Sequence, residues 1–207
     1  MFRKFLNPDN ALMITMTQIT DCIFLSLFFL VGCIPVITMG ASFAALYDAT
    51  FRGFRQGDKH CWSRFGQVYK ENWKASILPT LVFFAAVSLL GKVLISLWNS
   101  AVAGNLSWML FSGAAFVGVL VLGILSLMFP VLSRFENSVA GLLKNTVFLA
   151  MANLPRTLML GILNGAAALA CGFYILPLFF LPSLAALIGS LMIEPMFKPY
   201  LPSDSEE

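Results

Sequence analysis

Five polar side chains able to carry a proton, bind a cation or bridge helices interrupt otherwise apolar runs: Asp21, Asp48, Lys92, Asn164 and Glu194. Polar groups in hydrocarbon are costly, so each is a functional candidate. Asp21 and Asp48 have the chemistry of a proton or cation relay, and Asn164 can hydrogen-bond across a helical bundle. Lys92 precedes Trp98 by less than two helical turns and can snorkel to an interface, while Glu194 lies near the end of its run. These last two read as structural. A transport pathway needs several such groups at one depth, and here they are scattered.

Other chemistries have no address. The cysteines are Cys22, Cys33, Cys61 and Cys171, without a CxxC pair, and the single histidine is His60. A zinc site needs about four closely spaced N or S ligands, so no metal site is expected. Cys33 and Cys171 both fall towards the uncharged face, but a disulfide cannot be deduced from sequence. No nucleophile elbow, phosphate-binding loop, HExxH or paired-carboxylate motif is present, so no catalytic residue and no cofactor is assigned. The expectation is a non-enzymatic protein with no nucleic-acid partner.

The elements carrying these groups follow from composition. The chain has 207 residues, 59% hydrophobic and 11% charged, whereas soluble domains are about one quarter charged. Uncharged or nearly uncharged runs of about 20 residues recur, the length a helix needs to cross a bilayer. Lipid offers the backbone no hydrogen-bond partners, so the fold class is all-α, a polytopic membrane bundle. Spans are expected at 14–35, 75–98, 107–130, 157–174 and 177–197, with Trp73, Trp98, Trp108, Tyr174 and Tyr200 at or near their ends. Residues 37–54, rich in small side chains, are either a sixth crossing or a cytoplasmic extension. One transmembrane domain covers 1–198, and 199–207 form a short acidic tail expected to be disordered. A signal peptide ending near Ala41 is not expected, because more spans follow and Asp21 sits inside the run.

Arg52, Arg55, Lys59, Arg64, Lys70 and Lys74 precede the second span, and Arg134, Lys144 and Arg156 lie between the third and fourth, whereas residues 99–107 carry no charge. The positive-inside rule places both basic segments, and the C-terminus, in the cytoplasm of a multi-pass cytoplasmic-membrane protein. A sixth crossing would bring Arg3 and Lys4 inside as well, so the rule leans towards six.

Two basic segments have helical periodicity. In residues 61–74, Trp62, Phe65, Tyr69 and Trp73 form an aromatic stripe opposed by Arg64, Lys70 and Lys74, suited to a helix in the inner interface. In Ser133–Arg156, Arg134, Asn137, Ser138, Gly141, Lys144 and Asn145 share one face, and Phe135, Val139, Leu142, Leu143, Thr146, Val147 and Ala150 the other. This reads as an amphipathic cytoplasmic helix. Glu136 falls among the apolar positions and therefore needs a basic partner, either Arg156, Arg52 or Arg55 of this chain or a residue of another protein. Gly161 with Gly165, Ala114 with Gly118 and Ala185 with Gly189 repeat the small-xxx-small spacing, which serves packing within the chain or a homo-oligomer.

FPVLSRFENSVAGLLKNTVFLAMANLPRTL (129–158), CIPVITMGASFAALYDATFRGFR (33–55) and NPDNALMITMTQITD (7–21) resemble the YesL family of bacterial integral membrane proteins. That family has no established mechanism and is associated with carbohydrate ABC importers, so the resemblance implies an accessory role in oligosaccharide uptake or its regulation. The stretch from Glu136 to Leu154-Pro155 also resembles the cytoplasmic coupling helix of ABC permeases. Glu and Leu-Pro stand at the family spacing, Gly141 comes one residue early, and Asn137-Ser138 replace two alanines. The resemblance implies partner contact by Arg134, Glu136, Lys144, Asn145, Pro155 and Arg156, with importer permease and ATPase subunits as partners besides the bilayer. The alternatives are a self-contained small-solute or ion transporter using Asp21, Asp48 and Asn164, and a membrane sensor regulating carbohydrate use.

Overall fold

The computed structural model describes residues 11–57, 60–104, 108–134, 139–174 and 176–200, without the side chains of 11–15 and 139. It is all-α, and no strand occurs among the described residues. The helices are α1 (Ala11–Cys33), α2 (Met39–Thr50), α3 (Cys61–Asn72), α4 (Ile77–Val102), α5 (Trp108–Arg134), α6 (Val139–Ala152), α7 (Leu154–Phe173) and α8 (Leu181–Phe197). Helices α1, α4, α5 and α7 are long and apolar enough to cross a membrane. Helix α8, the fifth expected span, has 17 residues, about 25 Å of helix. The acidic tail expected at 199–207 lies almost wholly outside the described residues.

Helices α4 and α5 form an antiparallel hairpin. At its closed end Trp98 packs on Trp108 and Phe111, with ring centroids 5.5 and 5.4 Å apart. At the open end Phe83 meets Phe129. Helix α7 runs antiparallel to α5 through two glycines. A Cβ at Gly123 would strike the Thr157 carbonyl oxygen, and one at Gly161 the Val119 carbonyl oxygen. Only hydrogen at these positions allows so close a backbone approach. Gly118 likewise faces Leu90 and Leu94, and Gly189 faces Leu160. The small residues thus pack this chain against itself. Gly165 is different, because a Cβ there would meet only the Leu122 side chain, at 4.0 Å.

The segment left open at 37–54 is a buried interior helix, not a lipid-facing span. Helix α2 has 12 residues, about 18 Å against a hydrocarbon core of about 30 Å. Every residue from Gly40 to Phe51 is buried except the half-buried Phe43. Its first turn meets α4, where the Gly40 amide donates to Thr80 Oγ1 at 3.1 Å. Its middle stacks Phe43 on Phe129 and meets Phe29 edge-on. Its end continues into one π-helical turn, Phe51–Arg55, under the last residue of α5. The run of Gly40, Ala41, Ser42, Ala44, Ala45 and Ala49 is what lets neighbours approach from every side.

Residues 133–156 do not form one helix. Helix α5 continues to Arg134, and residues 135–138, including Glu136, Asn137 and Ser138, lie outside the described residues. Helix α6 then packs Leu142, Thr146, Leu149 and Ala150 into the core. Pro155 supplies the break: it lacks an N–H and its ring would clash with a helical carbonyl four residues back, so it sits in the first turn of a new helix, α7. Thr157 Oγ1 covers the loose end by donating to the carbonyls of Ala150 and Asn153, both at 3.1 Å.

Replacing Gly161 with Val is expected to destabilise the protein by about 1–3 kcal/mol through overpacking. Gly165→Ala should leave stability unchanged or raise it by up to about 1 kcal/mol, since space is open and Ala favours helix. Unfolding in detergent micelles, followed by circular dichroism, distinguishes the two outcomes.

Candidate functional site

The basic end of the bundle is organised around a buried carboxylate on α2 and a half-buried one on α8. Asp48 is 1% exposed; its Oδ1 accepts from Arg52 Nε at 3.2 Å and its Oδ2 from Arg64 Nε at 2.8 Å. Glu194 Oε1 accepts from Arg134 Nη2 and from the Tyr47 hydroxyl, both at 2.8 Å. Burial first, and the Glu194 carboxylate next, raise the Tyr47 phenol above its ordinary pKa, so it stays a neutral donor. The Arg134 guanidinium also lies over the Phe51 ring, 4.4 Å from its centroid. Arg55 approaches the same ring at 5.5 Å and donates to the Ser190 carbonyl at 3.2 Å. Three arginines, Arg52 of α2's extension, Arg64 of α3 and Arg134 of α5, thus pair with two carboxylates.

Two cations turn inward where the helical projection placed them outside. Arg64 leaves the polar face of α3 to reach Asp48, while Phe65 is buried, and Trp62 donates Nε1 to Asp21 Oδ1 at 3.0 Å and packs on Phe24. Helix α3 therefore packs on α1 and α2 as well as presenting an exposed side. Arg134 leaves the polar side of the 133–156 stretch to pair with Glu194, 60 residues away. No acceptor among the described residues reaches its buried Nε.

The other expected contact residues remain at the surface or near it. Lys144 is exposed on α6 and Asn145 half-buried, Pro155 and Arg156 are exposed at the start of α7, and Arg156 Nη1 donates to Asn153 Oδ1 at 3.3 Å. Beside them stands an apolar stripe absent from the sequence reading of this face. Phe148 is 57% exposed, Met151 66% and Leu154 47%. Val147, expected on the buried side, is exposed too.

Asp21, Asp48 and Asn164 do not meet. Asp21 is held by Trp62, Asp48 by two arginines, and the Asn164 amide donates to the Leu160 carbonyl of its own helix at 3.0 Å. Asn164 instead lines a cavity of about 480 Å³ between α1, α2, α4, α5, α7 and α8. Cys33 and Cys171 line it as well, and none of the four cysteines is in a disulfide. Among the described residues no group of three or more His, Cys, Asp or Glu is arranged to hold a metal ion.

Long apolar helices, a buried central helix and an ion-paired basic end define a multi-pass helical membrane protein. Residues 10–91 match the family described as "Protein of unknown function, DUF624", which is known in bacterial membrane proteins. The match runs from the start of α1 into α4 and so includes Asp48, Arg52 and Arg64, whereas Arg134, Glu194 and α6 lie beyond it. No curated protein and no solved structure matches the chain.

Removing one partner of a buried ion pair leaves the other uncompensated. Asp48→Ala is therefore expected to cost about 3 kcal/mol, the low end of the range for buried pairs, because Arg52 and Arg64 retain partial access to water. Asp21→Asn, at a more exposed site, should cost less than about 1 kcal/mol. Denaturant titration of both variants in the same detergent provides the comparison.

Proposed function

We propose that this protein is a non-enzymatic accessory subunit of the cytoplasmic membrane that supports oligosaccharide uptake by an ABC importer. The corner between α6 and α7 is its partner face. The observation that carries this reading is the exposed stripe Phe148, Met151 and Leu154, flanked by Lys144 and Arg156. Positions 144, 148 and 151 follow the i, i+4, i+7 spacing of a helix that offers one face to a groove. Apolar centre and charged rim are the composition of a contact surface.

Three further points support it. The positive-inside rule turns the arginine-rich end, and with it the C-terminus, towards the cytosol, where importer ATPases reside. The YesL-like segments at 33–55 and 129–158 point to carbohydrate import. The Leu154-Pro155 pair, which stands at the spacing of permease coupling helices, is the place where α6 ends and α7 begins. Because Arg134 is held by Glu194, the contact falls to Lys144, Asn145, Pro155 and Arg156 together with the apolar stripe.

Crosslinking in native membranes followed by purification should recover an importer permease or ATPase with the wild-type protein. The double substitution Met151→Asp and Leu154→Asp should lower that recovery at least tenfold, with the protein itself still present at normal levels in the membrane. Wild-type crosslinks containing no importer subunit would overturn the proposal.

A further inference from the structure

We infer that the cavity enclosed by α1, α2, α4, α5, α7 and α8 binds one acyl chain of a membrane phospholipid. Its volume of about 480 Å³ lies in the range of ligand sites, roughly 300–1,000 Å³. Along α8 it extends from Pro182 to Ile193, about 17 Å of helix. One leaflet of hydrocarbon is about 15 Å deep, half of a 30 Å core. The cavity thus has the length of a single lipid tail.

The chemistry of the wall excludes water and favours such a tail. No charged side chain lines the cavity. Its polar residues are already engaged in the protein: Ser126 Oγ donates to the Leu122 carbonyl, the Asn164 amide to the Leu160 carbonyl and the Tyr47 hydroxyl to Glu194. Water held in a cavity needs two to four polar partners, and apolar cavities without them stay dry or take up apolar molecules. The surrounding medium for such a bundle is lipid.

Two features of the bundle open this space towards the bilayer. Helix α1 packs closely on α2, α3 and α8, and neither α4 nor α7 is among its close neighbours. The cavity lies on that unfilled side, with half-buried Phe84 and Val87 of α4 and half-buried Cys171 of α7 at its margin. Gly165 then removes a side chain from the wall. Unlike Gly161 one turn earlier, it has no backbone against it, so its missing side chain leaves room instead of permitting contact.

The test places the full-length protein in phospholipid vesicles containing a phosphatidylcholine with a diazirine at the end of one acyl chain. After irradiation, adducts are mapped by mass spectrometry. The expected result is labelling of cavity-wall residues such as Phe43, Phe84 and Ala168 above that of the outward-facing Leu89 and Leu110. Gly165→Phe and Val87→Trp, which plug the cavity from different helices, should each lower wall labelling at least fivefold and leave Leu89 and Leu110 unchanged. Labelling confined to the outward residues, or wall labelling that persists in a folded plugged variant, overturns the inference. Should both plugged variants misfold, the wild-type ratio of wall to outward labelling decides. Wall labelling by a diazirine fatty acid, with none by the phospholipid, also overturns it.

Discussion

A helix surrounded by other helices has no water against it, so each polar group it carries must be matched by the protein. Helix α2 is in that position. Its Asp48 sits at 1% exposure and is matched by Arg52 and Arg64. Its Tyr47 is matched by Glu194, which in turn takes Arg134. These two sets of contacts join α2 to α3, α5 and α8 in one stroke. Because the isolated loss of a partner in such a pair is more damaging than the pair is stabilising, their main effect is to specify one arrangement of neighbours. The small side chains of α2 permit the approach, and the charges decide which helices make it.

Elsewhere in the interior most hydroxyls bond within their own helix, although Ser26 and Ser183 meet across α1 and α8 at 2.8 Å. Thr50, Thr80, Ser126 and Thr146 all donate to the carbonyl one turn back, as hydroxyls in helices commonly do. The bundle can thus hold hydroxyls among apolar side chains without linking them into a path. This contrasts with the basic end, where long-range pairs dominate, and with the Trp98–Trp108 end, where aromatic rings do the joining. The two ends of the molecule are therefore chemically unlike, as the charge pattern along the chain required.

Legibility in the sequence followed the range of the interaction. Apolar runs and their lengths announced the long helices, because crossing or filling a membrane core is a one-dimensional property. The periodicity across 133–156 suggested one helix, although Pro155 within it is a helix breaker and stands in the first turn of α7. The fate of Arg64 and Arg134 was not legible, since a helical projection sorts residues by face without knowing which distant helix supplies an acceptor. Asp48 and Glu194 stand 16 and 60 positions from those arginines. Helix α2 was ambiguous because alanine and glycine give modest hydropathy whether they face lipid or a tightly packed interior. The cavity had no sequence signature at all. Gly161 and Gly165 belong to one small-residue motif, and only the neighbours show that the first closes a gap and the second leaves one.

That difference between adjacent turns of α7 divides the helix mechanically. On the side of Gly161 the backbones of α5 and α7 are in contact, and such packing is nearly incompressible. On the side of Gly165 there is free volume. Compression acts by eliminating void space, so a change in the lateral pressure of the surrounding lipid would deform the second half of the bundle well before the first.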